Sequence, residues 1–218
     1  IYLRKLGVDI ITSGEQIYFK RDMKEHLQHA SYILRPANFP PGNSGRGWRT
    51  YTIGDEQIGV VSLLGQSGYA RVHPTNPYSF LPEIVRRLKE QCSIIVVDYH
   101  ALTTAEKLTM FYHADGLVSA VVGTGTRVLT ADERLSDKGT ATICDAGRTG
   151  SIDSVGGLDP AVEIRKMVSQ MPERSGETWE RLEIQGALME FERDGRALSI
   201  ERVREACSNE GVRQSSQS

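Results

Sequence analysis

The sequence predicts an α/β protein built on a mainly parallel, doubly covered sheet, and three observations predict it. Four apolar, largely β-branched runs each stop in a cluster of polar or glycine residues, and stretches with helical spacing lie between them. Two further stretches alternate in the manner of hairpins, so the sheets are expected to be mixed. With 218 residues, 39% hydrophobic and 25% charged, the chain can bury a core of its own, and one domain is expected over residues 1–204.

The elements follow in order. LRKLGVDII reads as the end of a helix running into a strand, as if the chain started inside its domain, and VDIITSGEQ from Val8 is the first apolar run. YFKRDMKEHLQ from Tyr18 has helical spacing, and RPANFPPGNSGRGW is rich enough in Gly, Pro and Asn to be a loop. RTYTIGDEQIGVVSLLG alternates about a Gly-Asp-Glu turn, and residues 66–77 again read as loop. YSFLPEIVRRLKEQ from Tyr78 is a helix candidate that leads into the strand SIIVVDYH from Ser93. TTAEKLTMFYHAD follows, with Thr103 and Glu106 at capping-box spacing. LVSAVVGTGTR from Leu117 and TATICDAGRTG from Thr140 complete the four runs, and LEIQGALMEFERDGRALSIERV folds back at Asp194-Gly195, a hairpin signal. Residues 205–218 are polar and expected to be a disordered tail.

Several classes are disfavoured. No apolar run approaches the ~20 residues a membrane helix needs, and the start lacks a secretory signal pattern, so no membrane partner and a cytoplasmic location are expected. A net charge of -2 gives no basic field and no clear nucleic-acid patch. Cys92, Cys144 and Cys207 are odd in number and scattered, which fits neither a disulfide framework nor a metal knuckle; Cys92 and Cys144 read as small buried hydrophobes.

In parallel sheets the loops beyond the strands' carboxyl ends converge on one edge, so the four polar clusters are where chemistry is expected. His100 ends one strand directly after Asp98 and Tyr99. Arg127 and Arg148 stand just past glycines beyond two others, and their forked donors suit phosphate. GTGT lacks the GxGxxG spacing, no Walker loop occurs, and no GxSxG offers a serine nucleophile.

Taken together, LRPANFPPGNSGRGW, VVDYHALTTAEKL, SAVVGTGTRVLTADERLSDKGTA and CDAGRTGSIDSVGGLD resemble, in order and spacing, the YmdB-like family of calcineurin-type metallophosphoesterases, from about residue 6 to about residue 200. The resemblance implies an α/β sandwich with mixed sheets and flanking helices. It also implies two iron or manganese ions, hydrolysis of phosphodiesters such as 2',3'-cyclic nucleotides, and homo-oligomers.

Position by position, the resemblance makes His100 a metal ligand. The family's Gly-Asn-His falls on Gly14-Glu15-Gln16, which puts Glu15 at a metal position and Gln16 at the position of the general acid. Its Gly-Thr-His-Thr-His falls on the five residues 123–127, so Gly125 and Arg127 stand where two histidines would be. The first two ligand motifs of the family would precede Ile1. Asn38, Glu106, Lys107, Asp145, Gly147, Thr149 and Gly150 also match and are expected to shape the scaffold.

These replacements change the chemistry. Gly125 offers no ligand, Arg127 is a permanent cation that would repel a neighbouring metal, and Gln16 cannot shuttle a proton near neutral pH. An ion pair between Glu15 and Arg127 is expected, the guanidinium standing in for part of the metal charge. The functional expectation is a member of the phosphodiesterase family with impaired or lost catalysis. Two alternatives stay open: an active enzyme with a rebuilt metal site holding His100 and Glu15, and a non-catalytic phosphate- or nucleotide-binding or scaffolding protein using Arg127, Arg148 and Asn38.

Overall fold

A computed structural model describes residues 2–69 and 72–207. The chain opens with α1 (Tyr2–Lys5) and β1 (Ile11–Thr12), then α2 (Asp22–His29) and β2 (Ile33–Leu34). The strand expected from Val8 is thus two residues long, and it pairs in parallel with β2 in a small sheet of its own rather than joining the main one. The helix expected from Tyr18 starts four residues late. Turns closed by Ile17 N–H to Gly14 O and Phe19 N–H to Gln16 O occupy its beginning, while the Tyr18 ring stacks on Phe39 and its hydroxyl donates to Ser44 O.

β3 (Trp48–Ile53) and β4 (Glu56–Leu64) form the first expected hairpin, closed at Gly54, whose φ of 60° suits a residue without Cβ. α3 (Pro77–Leu88) begins under an Asn76 cap with proline in its first turn and stops three residues short of the expected Gln91. Pro82 inside it has no N–H for the carbonyl of Tyr78; the Nε2 of His113 lies 2.7 Å from that carbonyl and donates to it instead. His113 ends the next helix but one residue, α4 (Thr104–Ala114), which follows β5 (Ile94–His100). Thr103 caps α4 as expected, but the Glu106 carboxylate leaves the capping box and accepts from Gln66 N–H and Ser67 N–H across the site edge.

After α4 come β6 (Ala120–Thr124), β7 (Arg134–Leu135), β8 (Ala141–Ile143) and β9 (Gly150–Ser151). α5 (Pro160–Ser169) and the hairpin of β10 (Leu182–Phe191) with β11 (Ala197–Ala206) complete the chain. The six-stranded sheet runs β3-β4-β5-β6-β8-β7, with β4, β5, β6 and β8 parallel and both edges antiparallel. Sequence reasoning missed α5, β2, β7 and β9; the three strands are two residues each, too short for a period. Residues 205 and 206 belong to β11 rather than to a tail, and 208–218 lie outside the described residues.

Alternation along β5 and β6 splits the sheet into two faces. Ile95, Val97, Tyr99 and Val121 turn to α3 and α4, where Leu81, Ile84, Val85, Leu88, Met110 and Phe111 bury them. Val96 and Ala120 turn the other way and lie under Met189, Phe191 and Ile200 of the hairpin. The hairpin covers only that part, so Asp98, His100 and Thr124, further along the same face, meet the turn after β1. No helix among the described residues is long and apolar enough to cross a membrane.

Candidate functional site

The carboxyl ends of β4, β5, β6 and β8 bring three of the expected polar clusters to one edge, and the segment after β1 joins them from its own small sheet. Ser13 anchors that segment: its hydroxyl donates to Leu34 O, and its carbonyl accepts from the Ser62 hydroxyl. Gly14 then lies against the imidazole, for a Cβ there would come within 2.6 Å of His100 Nε2. This close approach delivers Glu15, whose Oε2 is 3.0 Å from His100 Nε2.

On its far side the imidazole is fixed by a chain of hydroxyl and carboxylate. Thr124 Oγ1 donates to Asp98 Oδ1 at 2.7 Å and is 3.0 Å from His100 Nδ1. One hydroxyl proton cannot serve both contacts, so with Thr124 donating to Asp98 its oxygen is the acceptor for Nδ1. Nε2 faces the Glu15 carboxylate. Desolvation pushes the Asp98 carboxyl up, opposed by hydrogen bonds from Thr12 and Thr124 and by the charge of His100. The Tyr69 phenol is pushed up by burial and by Glu15, Glu106 and Asp98; its hydroxyl donates to His100 O at 3.3 Å, and its ring stacks near the imidazole.

The GTGTR loop is held from the other side. Gly123 is pressed against β8, since a Cβ would stand 2.0 Å from Cys144 O, and Gly125 has φ 114° beside Ala101 O. Asp145 Oδ2 accepts from the backbone N–H and the hydroxyl of Thr126 and from Lys107 Nζ at 3.0 Å, while its Oδ1 accepts from Gly147 N–H. Both charged side chains are only 1% exposed.

The expected ion pair between Glu15 and Arg127 does not form. Glu15 pairs with His100, and Arg127, left-handed at φ 61° and exposed, has no hydrogen-bond or ion-pair partner for its guanidinium among the described residues. The physical reason is reach: the Gly14 turn lays Glu15 directly on the imidazole, while the loop turns Arg127 outward toward Thr149 and Trp179, with which it lines another cleft. Arg148 spends two of its guanidinium nitrogens on backbone, Nη1 donating to Arg127 O and Nη2 to Ser151 O, strapping the two loops together. Asn38 is wholly buried and spends its carboxamide on Leu64 and Thr75 backbone, a scaffold role. Gln16 is exposed at the mouth of the site with no side-chain partner among the described residues.

The donor set can be tested against two metal ions. Among the described residues, no group of three or more His, Cys, Asp or Glu side chains is placed to hold a metal. Asp145 is saturated by Lys107 and three other donors, Asp98 is tied to Thr124, and Gly125 and Arg127 give nothing. His100 and Glu15 remain, and two donors do not fit a dinuclear centre.

Sequence reasoning missed Thr124, Asp98 and Tyr69 as the supports of His100. The period-2 pattern of β5 could have placed Asp98 on the imidazole's face, whereas Tyr69 comes from an unpatterned loop.

Comparison with known proteins agrees with this architecture. Residues 1–203 match the family model described as YmdB-like protein. The chain is 31% identical over 198 residues to the 2',3'-cyclic-nucleotide 2'-phosphodiesterase of Bacillus subtilis, spanning 90% of this chain and 74% of that one. It is 34% identical over 169 residues to a putative phosphatase/phosphodiesterase of Mycoplasma pneumoniae, of whose length it covers 59%. A crystal structure of a novel phosphatase from Mycoplasma pneumoniae superposes with a TM-score of 0.86 at 30% identity, over 94% of this chain and 74% of that one. The chain belongs to the YmdB-like family and has the metallophosphoesterase fold.

Proposed function

We propose that this member of the YmdB-like family binds a nucleotide-type phosphodiester at the His100 edge, with the metal-dependent hydrolysis of its relatives impaired or lost. One observation carries the reading: His100 Nε2, the nitrogen a metal would take, faces the Glu15 carboxylate at 3.0 Å, and the other carboxylates of the edge are spent on Thr124, Lys107 and backbone donors. Water activation and the clamping of attacking and leaving oxygens need two cations held by several ligands, and among the described residues only two donors are free for them. Gln16, which stands at the family's acid position, cannot itself protonate a leaving oxygen. Arg127, on the loop after β6, lines the neighbouring cleft with Thr149 and Trp179, and its guanidinium, without a partner among the described residues, offers forked donors to a phosphate that extends that way. The phosphodiester class rests on the likeness to the 2',3'-cyclic-nucleotide 2'-phosphodiesterase of Bacillus subtilis.

The test is metal content together with turnover. The protein as it occurs naturally is incubated with manganese or ferrous iron, desalted and analysed, then assayed with 2',3'-cyclic AMP. Less than one metal per chain and no hydrolysis above a protein-free blank are expected. Two metals per chain with turnover would mean that ligands outside those described rebuild the centre, and the reading of lost catalysis would fall.

A further inference from the structure

Beside Glu15, on the side away from the sheet, opens a cleft of about 630 Å³, within the range of small-molecule sites. Its walls combine three aromatic rings with three uncommitted polar groups. Phe39 forms a buried wall, 6% exposed, and Tyr18 stacks on it with ring centroids 6.1 Å apart at 28°. Phe19 is 83% exposed and packs against neither of them as a ring pair. Gln16, Asn43 and His73 line the same cleft, and their side chains have no hydrogen-bond or ion-pair partner among the described residues.

The charge of the lining narrows the ligand. Among the described residues the lining holds no lysine or arginine and Glu15 adds a carboxylate, so these walls favour a neutral group over a phosphate. A flat, neutral ring with donors and acceptors on its edge matches both kinds of wall: aromatic faces stack on it, and carboxamides both donate to and accept from its edge. The two residues at the mouth, Glu15 and Gln16, belong also to the His100 edge, so a molecule with a ring in the cleft carries its other end past them to that edge.

We infer that the cleft formed by Tyr18, Phe19, Phe39, Gln16, Asn43 and His73 is a nucleobase site, which places the base of a nucleotide while its phosphodiester lies at the His100 edge. The inference rests on the proposed phosphodiester binding for the second half of the ligand, but not for the first.

The test is calorimetric titration with four probes: adenosine, 2',3'-cyclic AMP, ribose 5-phosphate and bis(p-nitrophenyl) phosphate. Adenosine and the cyclic nucleotide should bind, and ribose 5-phosphate should not compete with adenosine. Phe19→Ala should weaken adenosine roughly tenfold or more, the effect of losing a stacking ring. Because Phe19 is exposed, this variant should melt with the wild type; Asn43→Ala, which removes one edge partner, gives a second and smaller loss. Absence of adenosine binding, or Phe19→Ala and Asn43→Ala proteins that bind as the wild type does, would overturn the base site. If adenosine fails while bis(p-nitrophenyl) phosphate binds, the phosphodiester reading stands and the base site falls. If adenosine binds with Phe19 dependence but the cyclic phosphate adds nothing, the base site stands and the phosphodiester reading falls.

Discussion

Two contacts between a basic side chain and a carboxylate lie at the same sheet edge and measure the same 3.0 Å, yet they do different work. Lys107 and Asp145 are 1% exposed and fully committed; His100 and Glu15 are 21% and 25% exposed, and Glu15 makes no other ion pair among the described residues. A buried pair is costly to break, because the partner left behind is an unpaired charge in low dielectric. A half-exposed pair is cheap to break and its members remain accessible, which is what a binding edge requires. The difference teaches that the fold fixes the GTGTR loop through Asp145 and leaves the His100 side open.

The largest effect should come from Asp145→Ala, which strands Lys107 and frees Thr126 and Gly147. It is expected to cost about 3–5 kcal/mol in denaturant unfolding. Glu15→Ala should cost about 1 kcal/mol or less by the same measurement. Equal costs would erase the distinction between the two pairs.

A pair of glycines sharpens it. Gly123→Ala drives a Cβ to 2.0 Å from the backbone oxygen of Cys144, which only a shift of β8 relieves, so a loss of about 1–3 kcal/mol or more is expected. Gly14→Ala meets the His100 side chain at 2.6 Å, which can rotate away. Its melting temperature should change little, while the His100 ring resonances shift in an NMR spectrum. Two equally destabilised variants would place both glycines in the scaffold.

Removing the hydroxyl that caps α4, Thr103→Ala, should cost about 1 kcal/mol, read as a lower denaturation midpoint. The smallest expected change is chemical. Cys144, whose thiol burial and the neighbouring Asp132 push up to about 12, should resist a thiol reagent at neutral pH, as should the buried Cys92. Cys207 is exposed and should label in the native protein; labelling of Cys144 at the same rate would show that the β8 end opens readily.

Much of the scaffold was legible. Both hairpins, three of the parallel strands and the cap of α4 follow local rules, in which neighbours in sequence supply the period, the turn or the hydroxyl that decides the element. The Val8 run misled because β-branched residues favour a strand only where a partner extends beside them, and here just Ile33 and Leu34 do. In the site, His100 was legible as a strand-end histidine, and the resemblance placed Glu15 next to it in function. The partner of Glu15 was not legible, since two substituted positions invited pairing with each other.

By itself the sequence determined the α/β class, the edge on which the polar clusters meet and the absence of ligand-bearing side chains at Gly123 and Gly125. Those properties depend on residue type and on spacing along one strand or helix. Tertiary structure alone decided that Glu15 meets His100 and not Arg127, that Arg148 is a strap, and that Tyr18, Phe19 and Phe39 wall a cleft with Gln16 and Asn43. Each of these depends on the close approach of segments far apart in the chain, set by glycine contacts and by the part of the sheet that the hairpin leaves uncovered.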